Sequence, residues 1–200
     1  INIGLDFGFV NNRISGSFDV YSKKTSDMLW DYNVPTPPYL YPSITANVGK
    51  MENKGFEILL NTIPVKSENF IWNSSMTFSH NENKLTSLSN DLYAIDKNYI
   101  NTGNTGDPIS FSTHRLEVGQ SIGNFWGLKS VDITHDMPKP EDNGKWIVEL
   151  PDGTRKTLTT EMYNDDNKQY LGNGIPKYYA GWTNTFSYKK FDLSVVLTGA

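Results

Sequence analysis

The stretch Ile1–Lys23, INIGLDFGFVNNRISGSFDVYSK, alternates between two kinds of residue. One face takes every second residue on both sides of a break at residues 10–13. Its members are Ile1, Ile3, Leu5, Phe7 and Phe9, then Ile14, Gly16, Phe18 and Val20, and all but Gly16 are large apolar residues. Small or polar residues lie between them. A period of two is typical of a β-strand with one apolar face. The stretch therefore predicts a β-hairpin, with its turn at Asn11-Asn12, because asparagine tolerates the positive φ of a tight turn.

The same alternation returns in four later segments. One covers about Gly49–Thr62, the next begins at Phe70 after the polar turn PVKSEN, and the last two flank Tyr188–Lys190. Within these windows the apolar faces carry no charged residue, whereas the opposite faces carry Asp6, Arg13, Asp19, Lys23, Glu57 and Asp192. The pattern predicts an all-β fold of six antiparallel strands with two chemically different faces.

Short and long connections alternate along the chain. The short ones are Val10–Arg13, Pro64–Asn69 and Tyr188–Lys190, and the long ones are Trp30–Ala46 and an excursion from about Glu82 to Gly174. Outer-membrane β-barrels have this pattern, because their periplasmic turns are short and their extracellular loops are long. We therefore expect residues 1–81 and 175–200 to form barrel strands.

The long excursion, residues 82–174, contains β-like pieces of its own, including a hairpin pattern about Pro151-Asp152-Gly153. The strands before and after it run in opposite directions, so it contains zero or an even number of membrane-crossing strands. We expect zero, which makes residues 82–174 mainly an extracellular platform.

Strand length and the placement of aromatic residues indicate that the apolar faces contact lipid rather than a protein core. A tilted membrane-crossing strand needs about 9–11 residues, and aromatic residues cluster near the strand ends, as in the girdles of such barrels. The expected lipid-facing residues are Phe7, Ile58, Phe78, Trp182, Val195 and Leu197, and the expected lumen residues are Asp6, Asp19, Glu57 and Asp192. A soluble β-sandwich that buries the same faces remains the alternative.

The composition argues against several other classes of protein. The chain has 200 residues, a net charge of −4 and no cysteine, which argues against a nucleic-acid binder and excludes a disulfide framework or a thiol nucleophile. It has no run of about 18 apolar residues, so no transmembrane helix is expected. Both ends look like cuts within a longer polypeptide.

One segment, NVGKMENKGFEILLNTIPV at residues 47–65, resembles the SusC/RagA family of TonB-dependent outer-membrane transporters. Other segments resemble the family in the same order; they are INIGLDFGFVNNRISGSFDVYSKKTSDML, FIWNSSMTFSHNENKL, VGQSIGNFWGLK and GNGIPKYYAGWTNTFSYKKFDLSVVLTGA. The resemblance covers nearly the whole chain and implies the C-terminal part of a barrel of about 22 strands. An Asp-rich loop that many members carry is not kept in residues 136–179.

The resemblance also implies a function. The full protein is expected to lie in the outer membrane of a Gram-negative cell and to import nutrient oligomers, first of all glycans, with a SusD-like surface lipoprotein. TonB would bind a more N-terminal part, and glycan and peptide importers share these motifs. No cofactor and no enzymatic activity are expected.

The loop WDYNVPTPPYLYPS, residues 30–43, is the first candidate for contact with a substrate or partner. Its prolines stiffen it, and Trp30, Tyr32, Tyr39 and Tyr41 offer flat rings that suit stacking on sugars. Trp126 is a second candidate. The alternative role of these aromatic residues is interfacial anchoring or packing within the loop.

Other chemistry has weaker signals. The histidines 80, 114 and 135 lack zinc-site spacing, and Asp142, Asp165 and Asp166 do not form a calcium-loop pattern, so no metal is expected. The carboxylates of Glu117, Glu141 and Glu149 are the candidates for a glycosidase pair. Two alternatives to a transporter therefore stay open, namely a secreted carbohydrate-binding β-sandwich and a glycan-degrading enzyme on a β scaffold.

Overall fold

The chain forms two compact units. The structure, a computed structural model, describes residues 1–34, 36–89, 97–108 and 110–200, with Tyr32 and Asn33 described by their backbone only. The first unit comprises the described residues of 1–95 together with 175–200, and the second those of 96–174. No helix in the described part of the chain has the length and apolar character needed to span a membrane.

The first unit is one six-stranded antiparallel sheet. Its strands are β1 (Asn2–Phe9), β2 (Ile14–Asn33), β3 (Ser43–Lys66), β4 (Phe70–Ser87), β12 (Tyr178–Tyr188) and β13 (Phe191–Gly199), in that spatial order. The predicted hairpin turn is present, with positive φ at Val10, Asn11 and Asn12. Strand β12 pairs directly with β4 over its whole length.

The strand register places the apolar positions of all six strands on one face. One row across the sheet is Leu5, Phe18, Ile58, Phe78, Ala180 and Gly199, and another is Phe7, Gly16, Leu60, Met76, Trp182 and Leu197. The row between them is on the other face and contains Asp6, Ser17, Leu59, Thr77, Gly181 and Thr198. Successive side chains of a strand point to opposite faces, so the predicted separation of the two faces is confirmed.

Among the described residues, the apolar face of this sheet has many exposed side chains and no covering layer. Leu193 is 59% exposed, and Phe18, Trp182 and Leu197 are also exposed. The buried apolar residues described in this unit lie beyond the apolar rows, at Ala46, Val48, Leu85 and Leu88. A soluble sandwich would bury the apolar face as its core, so that alternative is wrong for the described sheet.

Three strands are longer than the alternation predicted: β2 continues to Asn33, β3 covers Ser43–Lys66, and β4 continues past residue 81 to Ser87. Trp30, placed in a long connection by the sequence, lies in β2 and pairs with Ala46, so the connection shortens to residues 34–42. The register shifts on both sides of Met28, and nearby Asp27 has a φ of 59°. The two shifts offset each other, since Trp30 pairs with Ala46 in the same register as Thr25 with Met51. The irregularity therefore interrupts the alternation locally around Met28, which explains why the period-two pattern ended too early.

The second unit contains seven short strands in two sheets. A four-stranded sheet has the order β11 (Gln169–Asn173), β7 (Asn124–Gly127), β6 (Ser112–Glu117), β5 (Tyr99–Asn104). A three-stranded sheet has the order β10 (Arg155–Thr157), β9 (Trp146–Glu149), β8 (Lys129–Ile133), and 3-10 turns cover Pro140–Asp142, Thr160–Met162 and Asp165–Asn167. The hairpin predicted about residues 151–153 joins β9 and β10, with Gly153 at φ 83°.

Candidate functional site

The height of the uncharged apolar face matches a membrane. On β12 the face extends from Tyr178 to Tyr188, which is ten residue steps. At roughly 3.3 Å per step this is about 33 Å along the strand, and a tilt of about 45° reduces it to about 23 Å of height. The apolar band of outer-membrane barrels is about 25 Å tall.

Aromatic rings lie along both edges of this band. At the edge near the long connections, the ring centroids of His80 and Tyr178 are 4.7 Å apart. Near the short turns, Trp72 stacks on Phe186 with centroids 5.6 Å apart, and Phe7 lies 5.7 Å from Phe9. Amphipathic rings favour the membrane–water interfaces, so the two edges correspond to the girdles that the sequence predicted.

Polar side chains within the band have hydrogen-bond partners on the same face. Asn184 is 5% exposed, and its Oδ1 accepts a 3.0 Å hydrogen bond from Trp72 Nε1. In the same way Trp182 Nε1 donates to Ser74 Oγ at 2.9 Å. An unsatisfied polar group in hydrocarbon costs several kcal/mol. Each indole N–H removes that cost by donating to a polar side chain on the neighbouring strand. The sequence analysis missed this pairing because it depends on the strand register.

The opposite face of the sheet is polar and also hydrogen-bonded across strands. Ser75 Oγ donates to Asn61 Oδ1 at 2.7 Å, and Tyr21 donates from its hydroxyl to Asn81 Oδ1 at 3.0 Å. Asp19 pairs in register with Glu57 on this face. Two carboxylates opposite each other need water or cations nearby, which suits a wet lumen.

The structure separates the predicted loop aromatics into a partly buried residue and exposed ones. Trp30 packs against Ala46 and Val48, so its ring serves the packing of the two long strands. Tyr41 is 74% exposed and Tyr39 is also exposed, while the side chain of Tyr32 lies outside the described residues. Tyr39 and Tyr41 therefore keep the free ring faces that ligand contact requires.

Trp126, the other predicted contact residue, belongs to a stacked cluster in the second unit. The Arg115 guanidinium lies between two rings, 3.7 Å from the Tyr99 centroid and 3.5 Å from that of Trp126. Arg115 Nε donates to Asn101 Oδ1 at 2.9 Å, and Nη2 forms an ion pair of 2.8 Å with Asp165. The Arg115 cation thus covers one face of the Trp126 ring. Such a cation–π contact stabilises the packing of the ring and does not require a ligand.

Two ionisable groups next to this cluster have shifted pKa values. Burial alone raises the pKa of Asp165, but hydrogen bonds from Asn101 and Lys168 and the charge of Arg115 outweigh it, so that pKa is lowered. Burial and then the hydrogen bond to Glu117 raise the pKa of Tyr170. Asp165 is therefore held as an anion and Tyr170 as a neutral donor, which suits a fixed polar network.

A cavity of about 550 Å³ opens beside Trp126, within the second unit. Most of its lining is aromatic or aliphatic, and the aromatic members are Phe111, Phe125, Trp126, Trp146 and Tyr163. Its polar side chains are Ser112, Thr113, Ser130 and Lys168, and Thr113 already donates to the Gly103 carbonyl at 2.7 Å. Its volume lies within the range of small-ligand pockets.

The carboxylates considered for catalysis are engaged or solvent-exposed. Glu149 pairs with Lys129 at 2.5 Å and Arg155 at 3.2 Å, Glu117 accepts from Tyr170, and Glu141 is exposed. Asp142 pairs with Lys145 at 2.6 Å. Within the described ranges, no three His, Asp or Glu side chains come together in a way that holds a metal ion.

Comparison with known proteins gives one consistent result. Residues 1–197 match the family model described as TonB dependent receptor-like, beta-barrel. TonB-dependent receptor P26 of Formosa agariphila is 31% identical over 205 residues, which cover 100% of this chain and 20% of the relative. TonB-dependent receptor SusC of Bacteroides thetaiotaomicron is 30% identical over 200 residues, covering 98% and 18%. The chain thus spans about a fifth of the length of these relatives.

Solved structures show the same architecture. The RagAB peptide transporter superposes with a TM-score of 0.74 at 25% identity, over 98% of this chain and 20% of that one. The RagAB peptide importer in its open-open state gives a TM-score of 0.78 at 23% identity, over 98% and 19%, and this second likeness concerns the fold alone.

Proposed function

This chain belongs to the TonB-dependent receptor β-barrel family, and from that premise we propose that the full-length protein imports nutrient oligomers across the outer membrane with energy supplied through TonB. The observation that carries the proposal is the uncharged face that crosses six paired strands with a polar face behind it. A sheet with lipid on one side and water on the other is a piece of a transport barrel's wall.

Fold and location follow from the family itself. The predicted all-β, antiparallel, partial barrel of the SusC/RagA type is confirmed, as is the outer-membrane location. The named relatives are receptors and transporters rather than enzymes. The rival interpretation as a glycan-degrading enzyme therefore has no support from them.

Glycans are our first candidate for the imported oligomer. The support is the loop at residues 36–42, where Tyr39 and Tyr41 expose their rings beside Pro37, Pro38 and Pro42. Flat rings on a stiff loop stack on the apolar face of a sugar with little loss of conformational entropy.

Peptides are the second candidate, and one observation favours them. The cavity beside Trp126 offers few free hydrogen-bonding groups, and a sugar hydroxyl buried without a partner is costly, whereas an apolar peptide side chain fits such a lining. A solved structure that this chain resembles is that of a peptide transporter.

A SusD-like lipoprotein is the partner we propose, together with TonB acting through a part of the protein outside these residues. The second unit, the described residues of 96–174, would then form most of the extracellular platform expected at residues 82–174, since its described strands pair among themselves and β12 pairs with β4. Exposed aromatics such as Trp146 and Tyr163 suit contact with a lid or a substrate.

Uptake by whole cells tests the proposal. A strain that lacks the gene is complemented with the full-length protein and supplied with labelled oligosaccharides or peptides of matched size, with and without a protonophore. We expect energy-dependent uptake of one class only. Uptake that persists with the protonophore, or no uptake of either class, would overturn the proposed function.

Loop variants then test the glycan assignment. Y39S/Y41S should reduce glycan uptake at least fivefold, because both stacking rings are lost. The matched control is Leu40→Ser, since Leu40 is 94% exposed and lies between the two tyrosines. Equal losses in the control and the double variant would contradict a stacking role.

A further inference from the structure

The cavity beside Trp126 lies between the two sheets of the second unit. Its lining takes Phe125 and Leu171 from strands β7 and β11 of the four-stranded sheet, and Trp146 and Val148 from strand β9 of the three-stranded sheet. A single residue separates β7 from β8, so the chain passes directly from one sheet to the other. Both sheets are therefore needed to form the cavity.

A side-chain hydrogen bond joins the two sheets beside this cavity. Gln169 of β11 donates from Nε2 to the backbone carbonyl of Glu149 in β9 at 2.7 Å. The residues that precede these two in the chain, Lys168 and Val148, line the cavity. A site whose walls are fixed before a ligand arrives loses less conformational entropy on binding. The cavity is thus built to receive a group of definite shape.

The aromatic walls of the cavity expose apolar surface. Phe111 and Tyr163 stack, with ring centroids 5.5 Å apart and an interplanar angle of 11°. Tyr163 is 49% exposed and Trp146 is 54% exposed, although both line a concave site. A contiguous apolar surface of this kind marks a contact site, and its burial against a large apolar group is favourable.

Lys168 gives this apolar cavity a positive charge. Among the described residues that line the cavity, it alone is charged. Its side chain is only 17% exposed, and its Nζ donates to Asp165 Oδ1 at 3.3 Å, which is one of the three hydrogen bonds that an ammonium group can make. The other oxygen of that carboxylate pairs with Arg115 at 2.8 Å. Two cations therefore share one anion, and a second anion at Lys168 would offset the cost of burying its charge.

We propose that the cavity binds the C-terminal residue of a peptide, with a large apolar side chain among the rings and the terminal carboxylate on Lys168 Nζ. The proposal rests on the import function proposed above and adds to its peptide candidate the end of the chain that is recognised. An internal peptide residue lacks the carboxylate, and a neutral sugar lacks both the charge and the apolar side chain. A charge-assisted hydrogen bond from an ammonium group to a carboxylate is among the stronger ones in proteins.

Peptide binding to the purified full-length protein in nanodiscs tests this site. The probes are N-terminally labelled Ala-Ala-Phe with a free terminal carboxylate, the same peptide as its C-terminal amide, and Ala-Ala-Ser with a free carboxylate, and binding is followed by fluorescence anisotropy. We expect wild type to bind the Phe acid about tenfold more tightly than the Phe amide, because a bond between charged groups is lost in the amide. The Ser acid should also bind more weakly, because it leaves the rings uncovered.

Lys168→Gln should bind the Phe acid and the Phe amide equally, whereas the charge-preserving K168R should keep the preference for the acid. The matched control is Lys145→Gln. Like Lys168, Lys145 pairs with an aspartate three residues away, Asp142 at 2.6 Å, but it is not among the residues that line the cavity. K145Q should therefore keep the wild-type preference.

Three results would each overturn the proposal: equal binding of acid and amide by wild type, a preference for the acid that survives in K168Q, or the same loss of preference in K145Q. The comparison of acid with amide changes only the ligand, so it does not depend on the folding of a variant. No energy source is present in this measurement. Binding with the acid preference but without uptake by cells would overturn the import function alone, and uptake without the acid preference would overturn this site alone.

Discussion

The two units use the same residue types in opposite ways. In the six-stranded sheet, Leu197 is 54% exposed and belongs to a row of outward apolar side chains. In the second unit, Val148 and Leu150 are buried, and polar groups are held by ion pairs such as Arg115–Asp165 and Lys129–Glu149. The first unit therefore depends on its surroundings for apolar burial, whereas the second supplies burial and polar partners from its own chain.

A charge on the lipid face should have the largest effect. Leu197 and its neighbour Val196 have similar exposure, 54% and 61%, but lie on opposite faces of β13. Leu197→Arg should lower the free energy of unfolding from bilayers by about 2–4 kcal/mol, because its row is near mid-depth. Val196→Arg should change it by less than about 1 kcal/mol, since it faces the polar side. Urea titration of the full-length protein in liposomes measures both, and equal costs would contradict lipid as the outer medium.

Removing the stacked cation should affect the second unit alone. Arg115→Met keeps the apolar stem but deletes hydrogen bonds to Asn101 and Asp165, and a bond to a charged group contributes about 1.5–3 kcal/mol. We expect the free energy of local opening to fall by about 2 kcal/mol. Hydrogen exchange should show faster amides in residues 97–174 and unchanged protection in β3 and β4. Faster exchange throughout β3 would show that the two units are not independent.

The indole bonds within the apolar band should have a smaller effect. Trp72→Phe leaves Asn184 Oδ1 without its donor, and an unsatisfied buried acceptor costs about 1–3 kcal/mol. Adding Asn184→Leu should recover most of that loss, because both partners are then apolar. Unfolding free energies of the full-length wild type, the two single variants and the double variant in lipid form a double-mutant cycle. The cycle gives the coupling free energy between Trp72 and Asn184. Additive single effects would mean that the hydrogen bond contributes nothing in lipid.

Acid should produce the smallest change, confined to the second unit. Because the pKa of Asp165 is lowered in the folded state, its contribution to stability is present above the unfolded value of about 3.9 and is lost as pH falls through the lower folded value. Amide protection near Asp165–Asn167 should decrease as the pH falls below about 4, and D165N should remove that dependence. A decrease that survives in D165N would assign it to another carboxylate.

The six-stranded sheet was largely predictable from the sequence, because alternation is a local property. Runs such as Ile1–Phe9 and Phe191–Leu197 fix which face each side chain takes, and neighbouring runs must share that face to bury it together. Prediction failed at Met28, where the register shifts on either side interrupt the alternation, so the sequence placed Trp30 in a loop. The strands of the second unit are three to six residues long. They are too short for a two-residue alternation to be recognised in the sequence.

The site was less predictable because its contacts join distant residues. Tyr39 and Tyr41 are exposed as expected, and their contact with a ligand stays a prediction. Trp126 stands out in the sequence as an aromatic candidate, yet the Arg115 stacked on it and the Asp165 that orients Arg115 come from strands and turns far apart in the chain. Only the fold brings them together.

The direct pairing of β4 with β12, from His80 opposite Tyr178 to Phe70 opposite Tyr188, has an evolutionary consequence. Residues between these strands can lengthen, shrink or be exchanged while the ladder of backbone hydrogen bonds stays intact, and loop-closure entropy grows only slowly with length. Natural selection can therefore change the inserted residues separately from the six-stranded sheet, and protein engineers can graft new inserts between the same two strands.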